Sequence, residues 1–143
     1  METIYLVGVD GSNCSERAIA YAMERALENE GKIFAAHVIE WSPYAFNTPE
    51  ENELRHQRRE QELSLARQEV LEPVLRRLSE AGIPGEGLTA HGHVARTLVR
   101  LGKEHDVTSL VIGRKGSSRL AQFFGSVASH VVQITDRPVT VVP

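Results

Sequence analysis

One cysteine, Cys14, stands in 143 residues, so no internal disulfide can staple this chain. A chain of this length buries a sizeable core without such help, and residues 1–143 are read as one domain. A lone thiol suits a reducing compartment, and the expected location is the cytoplasm. Basic residues are not in excess: 16 Lys and Arg stand against 19 Asp and Glu, a net charge of -3. That balance lacks the electrostatic footprint of a nucleic-acid partner, and none is expected. No apolar run approaches the roughly 18 residues of a membrane span, and METIYLVGVDGS has no basic start leading into a long apolar stretch. Neither a membrane nor a leader is expected. Two phosphate-binding loops are missing as well: GxxxxGK[ST] occurs nowhere, and no GxGxxG follows the first apolar run.

What is present alternates in period. TIYLVGV, residues 3–9, reads as a buried strand that stops at Asp10-Gly11-Ser12. Ser12 or Asn13 can cap the helix that follows, with Glu16 three after Asn13 as in a capping box. Ala18, Ile19, Ala22, Met23, Ala26 and Leu27 give that helix one apolar stripe to about Asn29. IFAAHVIEW, 33–41, is a second strand, and the prolines of SPYAFNTPE mark a loop. Leu63, Ala66, Val70, Val74 and Leu78 keep a helical spacing, with a kink or break expected at Pro73. ENELRHQRREQE, 51–62, has only Leu54 as an apolar residue and reads as a solvated extension or a mobile loop. LTAHG (88–92), TSLVIG (108–113) and VTVV (139–142) read as strands, Val94 to Glu104 and Ser126 to Ile134 as helices. The resulting β-α-β-α-β-α-β-α-β order predicts an α/β fold, an open parallel sheet covered by helices on both faces.

The most glycine-rich loop lies late, in VIGRKGSSRLAQFFGSVASHVV, 111–132. In an open α/β sheet, ligands bind beyond the carboxyl ends of the strands where the strand order reverses. With order 3-2-1-4-5 the reversal falls between strands one and four, where Asp10-Gly11-Ser12 meets the loop opening at Gly113. Gly113, Gly116 and Gly125 permit positive φ and close approach, and Gly125-Ser126 sits where the last helix exposes its first N–H groups. A helix end contributes about 0.3–1 kcal/mol toward an anion, up to roughly 2 when partly buried. A micromolar complex requires ~8 kcal/mol, so Ser117, Ser118, Ser126, Arg114, Lys115 and Arg119 are expected to add donors and charge. Spacing alone leaves open a plain Gly and Ser connector.

IYLVGVDGSNCSERAIAYA, AAHVIEW, SLVIGRKGSSRLAQFFGSVASHVV and RPVTVVP together resemble the universal stress protein family over nearly the whole chain. The resemblance implies a Rossmann-like fold of the adenine nucleotide α-hydrolase kind with five parallel strands in order 3-2-1-4-5. The nucleotide-binding branch carries Gly, two residues, Gly, nine residues, then Gly-Ser or Gly-Thr. Here Gly113 and Gly116 fit, and eight residues rather than nine precede Gly125. The resemblance implies that Asp10 and the Val38 backbone hold an adenosine, and that Gly113, Lys115, Gly116, Gly125, Ser126 and Val127 surround ribose and phosphates. The ligand so implied is ATP, or AMP or ADP, with Mg²⁺ beside the phosphates. It also implies a homodimer through strand 139–142, an uncharged edge of the sort that invites pairing, and a regulatory, stress-response role.

Other constellations carry less. His91-Gly92-His93 has the wrong position for a nucleotidyltransferase HxGH motif, and reads as a strand end and helix start with no nearby Cys or His for a metal. Asp10 lacks the companions of a phosphoacceptor. Cys14, near a helix start, reads as a packed thiol. Tyr44 and Phe46 could cover a base or simply pack. Residues 113–130 contain no carboxylate to orient water, which favours binding over efficient catalysis. A slow ATPase or nucleotidyl-transfer enzyme and a ligand-free dimeric interaction module stand as alternatives.

Overall fold

The computed structural model describes residues 2–40, 49–115 and 125–143. Five strands alternate with helices: β1 (Ile4–Gly8), α1 (Asn13–Asn29), β2 (Lys32–Glu40), α2 (Pro49–Ala66), α3 (Glu72–Glu80), β3 (Gly85–Gly92), α4 (Val94–Glu104), β4 (Ser109–Gly113), α5 (Ser126–Ile134) and β5 (Val139–Val142). All pairings are parallel, in the order β3-β2-β1-β4-β5. This is the expected α/β fold and strand order.

The apolar strand sequences follow from burial on both sides. Leu6 pairs in register with Phe34 on β2 and Leu110 on β4, and all three face α4 and α5 through Ala95, Leu98, Leu101, Ala128 and Val131. Tyr5, Val7, Ile33, Ala35 and Val111 point the other way, onto Ala18, Ile19 and Ala22 of α1 and Leu71, Val74 and Leu78 beside α3. Each fully buried Leu or Ile contributes about 1.5–3 kcal/mol of burial energy, and truncating Leu6 to Ala in this two-sided core costs about 2–5 kcal/mol.

The segment before β3 differs from expectation in two ways. Residues 51–62 are helical, within α2, rather than a loop; Leu54 is 62% exposed, consistent with a solvated extension. The break expected at Pro73 takes the form of a π-helical turn, Arg67–Leu71, immediately before α3. Pro73 has no N–H for the carbonyl four residues back, and the preceding Glu72 N–H bonds Arg67 O, five residues back. The extra residue rotates the stripe, so that Leu71 rather than Val70 becomes fully buried. β3 also starts three residues earlier than read, at Gly85. Trp41, Tyr44 and Phe46 lie outside the described residues.

Candidate functional site

From β1 the sheet grows in two directions, to β2 and to β4. The loops leaving the carboxyl ends of β1 and β4 therefore turn to opposite faces and leave a gap between them. There a cleft of about 770 Å³ opens, lined by the end of β1 through Asp10 and Ser12, by Ala36 to Glu40 of β2, by Val94 and Leu98 of α4, by Ile112 to Lys115, and by Gly125 to Ser129. Its volume lies in the range of small-molecule pockets, ~300–1,000 Å³.

The β1–α1 turn is closed by its own side chains. Gly11 has φ +80°, a left-handed conformation that favours glycine. The Ser12 N–H donates to Asp10 Oδ1 at 2.9 Å, the Ser15 N–H to Ser12 Oγ at 3.2 Å, and the Asp10 N–H to Ser15 Oγ at 3.1 Å. Ser12 is thus the N-cap, and the Asn13–Glu16 capping box does not form. Glu16 instead accepts from Arg77 of α3 at 2.6 Å. In the first turn of α1 the Ser15 and Glu16 amides both bond to Ser12, the first to its Oγ and the second to its carbonyl oxygen.

α5 begins differently. Gly125 is its N-cap and has no side chain to offer, so the cap residue itself gives the first amides no side-chain acceptor. The Ser129 N–H makes the first intrahelical bond, to Gly125 O at 3.0 Å. The amides of Ser126, Val127 and Ala128 precede it, on residues that line the cleft. Arg114 and Lys115 line the same end, while Asp10 and Glu40 bring negative charge to the β1–β2 side.

Seven of the eight residues expected around a ligand, namely Asp10, Val38, Gly113, Lys115, Gly125, Ser126 and Val127, line this one cleft. Gly116, with Ser117, Ser118 and Arg119, lies outside the described residues. The conformational reason given for two of the glycines is corrected. Gly125 has φ -62°, and Gly113 is not among the described glycines with positive φ, which are Gly11, Gly82 and Gly92. Gly113 is required by close approach to another part of the chain: a Cβ there would lie 2.8 Å from Cys14 Cβ and 2.9 Å from Cys14 C. Its neighbour in space is the first turn of α1.

Sequence reading missed Ser15, His37, Glu40, Val94 and Leu98 as cleft residues. Val94 and Leu98 belong to an apolar helical stripe whose upper end happens to reach the opening, which periodicity cannot separate from core. His37 Nδ1–H donates to Val9 O at 2.6 Å, tying β2 to the end of β1. The histidines of 91–93 have structural partners: His91 Nε2 meets Glu62 Oε2 at 3.1 Å, and His93 caps α4 and stacks edge-on against His130 at 4.9 Å. Among the described residues no group of three or more metal-ligating His, Cys, Asp or Glu forms, and no helix is long and apolar enough to cross a membrane. Cys14 is buried.

The model of the universal stress protein family matches residues 3–143. The chain belongs to this family. It is 28% identical to universal stress protein YxiE of Bacillus subtilis over 147 aligned residues, which span 96% of each protein. Among solved structures, it is similar to the universal stress protein UspA from Lactobacillus plantarum, with TM-score 0.80 and 22% identity over 99% of this chain and 97% of that one. It is also similar to a universal stress protein solved in complex with cAMP, with TM-score 0.64 and 26% identity over 99% and 96% of the two chains. Family and fold therefore agree with the resemblance read from the sequence.

Proposed function

We propose that this universal stress protein binds an adenine nucleotide in the cleft between β1 and β4 and acts as a nucleotide-dependent regulatory dimer in a cytoplasmic stress response. The carrying observation is the asymmetry of the cleft lining: an α5 terminus whose cap, Gly125, brings no side chain, beside Lys115, and the apolar Val38 of β2 and Val94 and Leu98 of α4. Such a site suits a ligand with a phosphate group on an aromatic, largely apolar body. The cAMP in the relative of 26% identity is a ligand of that chemistry. In this reading ATP, or AMP or ADP, places its nucleoside by Asp10 and the Val38 backbone, and its phosphates among Gly113, Lys115, Gly116, Gly125, Ser126 and Val127. Residues 1–143 act as one domain.

Mg²⁺ enters with the phosphates. The cleft offers the Ser126 hydroxyl beside the phosphates, a hard oxygen donor, and no protein cage forms among the described residues. That donor set fits an ion that keeps waters and takes most of its remaining ligands from phosphate. When bound, the ion supplies charge neutralisation to the phosphates. The dimer forms through β5, the outer strand of the sheet, whose Val139 to Val142 are all half-buried. A second reading, slow hydrolysis, is favoured by the two carboxylates, Asp10 and Glu40, that the fold brings to the cleft although residues 113–130 have none. Phosphate release lost in Asp10→Asn at unchanged ATP affinity would support it.

Calorimetric titration of the purified chain with ATP, AMP and GTP in the presence of Mg²⁺ tests the main reading, with Gly125→Asp alongside. Micromolar binding of an adenine nucleotide to the parent chain and none to the variant is expected. A parent chain that binds none of the three removes the nucleotide reading and leaves a dimeric interaction module.

A further inference from the structure

The end of β5 is joined to the cleft by the last bond of its ladder with β4 and by one bond beyond it. Val142 O accepts from the Arg114 N–H at 2.7 Å, and Arg114 O accepts from the Gly125 N–H at 2.8 Å. The two sides of the glycine loop are thereby held at one point, and that point rests on the last turn of β5. A side chain then closes the arrangement from α1. Arg17 Nε donates to Pro143 O at 2.8 Å, and its Nη2 donates to Cys14 Sγ at 3.0 Å. Cys14 is the residue against which Gly113 is packed. One guanidinium thus spans the first turn of α1 and the chain just beyond β5.

We infer that Arg17 is a positioning residue for the cleft: by holding Pro143 and Cys14 together it keeps Gly113, Arg114 and Gly125 in binding register. This rests on the nucleotide reading above for the identity of the ligand. Arg17 does not line the cleft, so it acts through the main chain rather than by contact. The planar fork is needed because two donors must be aimed at once, at an oxygen and at a sulfur; an ammonium is a point charge without that geometry. Without the fork, the Val142 side chain, half-buried against the α1-facing core, still holds β5 in place. The expected loss is therefore in the alignment of Gly113, Arg114 and Gly125 rather than in the fold.

The test compares the parent chain, Arg17→Met and Arg17→Lys. Met keeps the aliphatic stem and removes every donor. Three quantities are measured: ATP affinity by calorimetry with Mg²⁺, thermal stability without ligand, and amide hydrogen exchange without ligand. The expected result is an ATP affinity lowered roughly tenfold in Arg17→Met, equivalent to about 1.4 kcal/mol. Arg17→Lys should fall between. Ligand-free exchange should quicken at the Arg114 and Gly125 amides and stay unchanged in β1 and β2, which a merely structural residue would not produce. Unchanged ATP affinity in Arg17→Met overturns the inference. So does exchange raised across the whole sheet, which would make Arg17 a general stabiliser. If the parent chain binds no nucleotide, the nucleotide reading falls by itself, and unchanged protection at Arg114 and Gly125 in Arg17→Met overturns the positioning role independently.

Discussion

Two helices, α1 and α5, start at the same edge of one sheet and border the same cleft, and their first turns have opposite fates. At α1 the turn is braced by side-chain oxygens: Ser12 Oγ caps the Ser15 amide, Asp10 Oδ1 accepts from the Ser12 N–H, and Ser15 Oγ accepts from the Asp10 N–H. At α5 the cap is Gly125, which has nothing to give. Both ends carry the partial positive charge of a helix dipole. A helix start braced by a side-chain cap offers an anion fewer free donors than one whose cap residue brings no side-chain acceptor. On the proposed reading, the glycine-rich loop stands late in the chain because it leads into the helix start whose cap brings no side chain.

The comparison breaks most visibly if α5 is closed. Gly125→Asp places a carboxylate where the ligand's phosphate is expected and supplies a preferred N-cap. ATP affinity should fall by about a hundredfold or more, equivalent to about 2.7 kcal/mol, while thermal stability holds or rises. Calorimetry and a melting curve on the same sample separate the two effects. A variant that loses both would mean that Gly125 serves the fold instead.

Gly113→Ala attacks the contact between the two starts. Its new Cβ would press on Cys14, at 2.8 Å from Cβ and 2.9 Å from the carbonyl carbon, and overpacking of this kind costs about 1–3 kcal/mol. Denaturant unfolding should show that loss, and Cys14→Ala should not restore it, because alanine keeps the Cβ and the backbone that are struck. Restoration would place the conflict at the sulfur.

Opening α1 is the reciprocal change. Ser12→Ala removes the cap and should cost about 1 kcal/mol in a urea melt, with no gain in ATP affinity if the phosphates belong to α5. Tighter binding in that variant would erase the distinction between the two helix starts. The smallest effect is expected from Glu16→Gln, which removes the exposed ion pair with Arg77 and one first-turn charge. A change of less than about 1 kcal/mol is predicted, and a larger one would mean that Glu16 supports the α1 start more than its geometry indicates.

Much of this was legible in advance, for identifiable reasons. Strands buried on both faces announce themselves as short β-branched runs, and TIYLVGV, IFAAHVIE and TSLVIG did so. The punctuation at Asp10-Gly11-Ser12 and at Gly125-Ser126 marked the two helix starts that now border the cleft. The β2–β3 connection was harder to read. The 51–62 segment lacks an apolar face, so periodicity could not distinguish a solvated helix from a loop. The rotation that buries Leu71 comes from the π turn before Pro73, which a regular spacing does not contain.

The sequence by itself determined the alternation of strands and helices, the absence of stapling disulfides, and the contrast between a serine cap and a glycine cap, because each depends on neighbours along the chain. Only the tertiary structure decided why Gly113 must be glycine, that Val94 and Leu98 border a cleft as well as a core, and that Arg17 reaches both Cys14 and Pro143. Those facts depend on atoms more than eighty residues apart in some cases, as with Arg17 and Pro143, being brought within a hydrogen bond's length. Parallel pairing of β1 with β4 and β4 with β5 does that, and no local pattern encodes it.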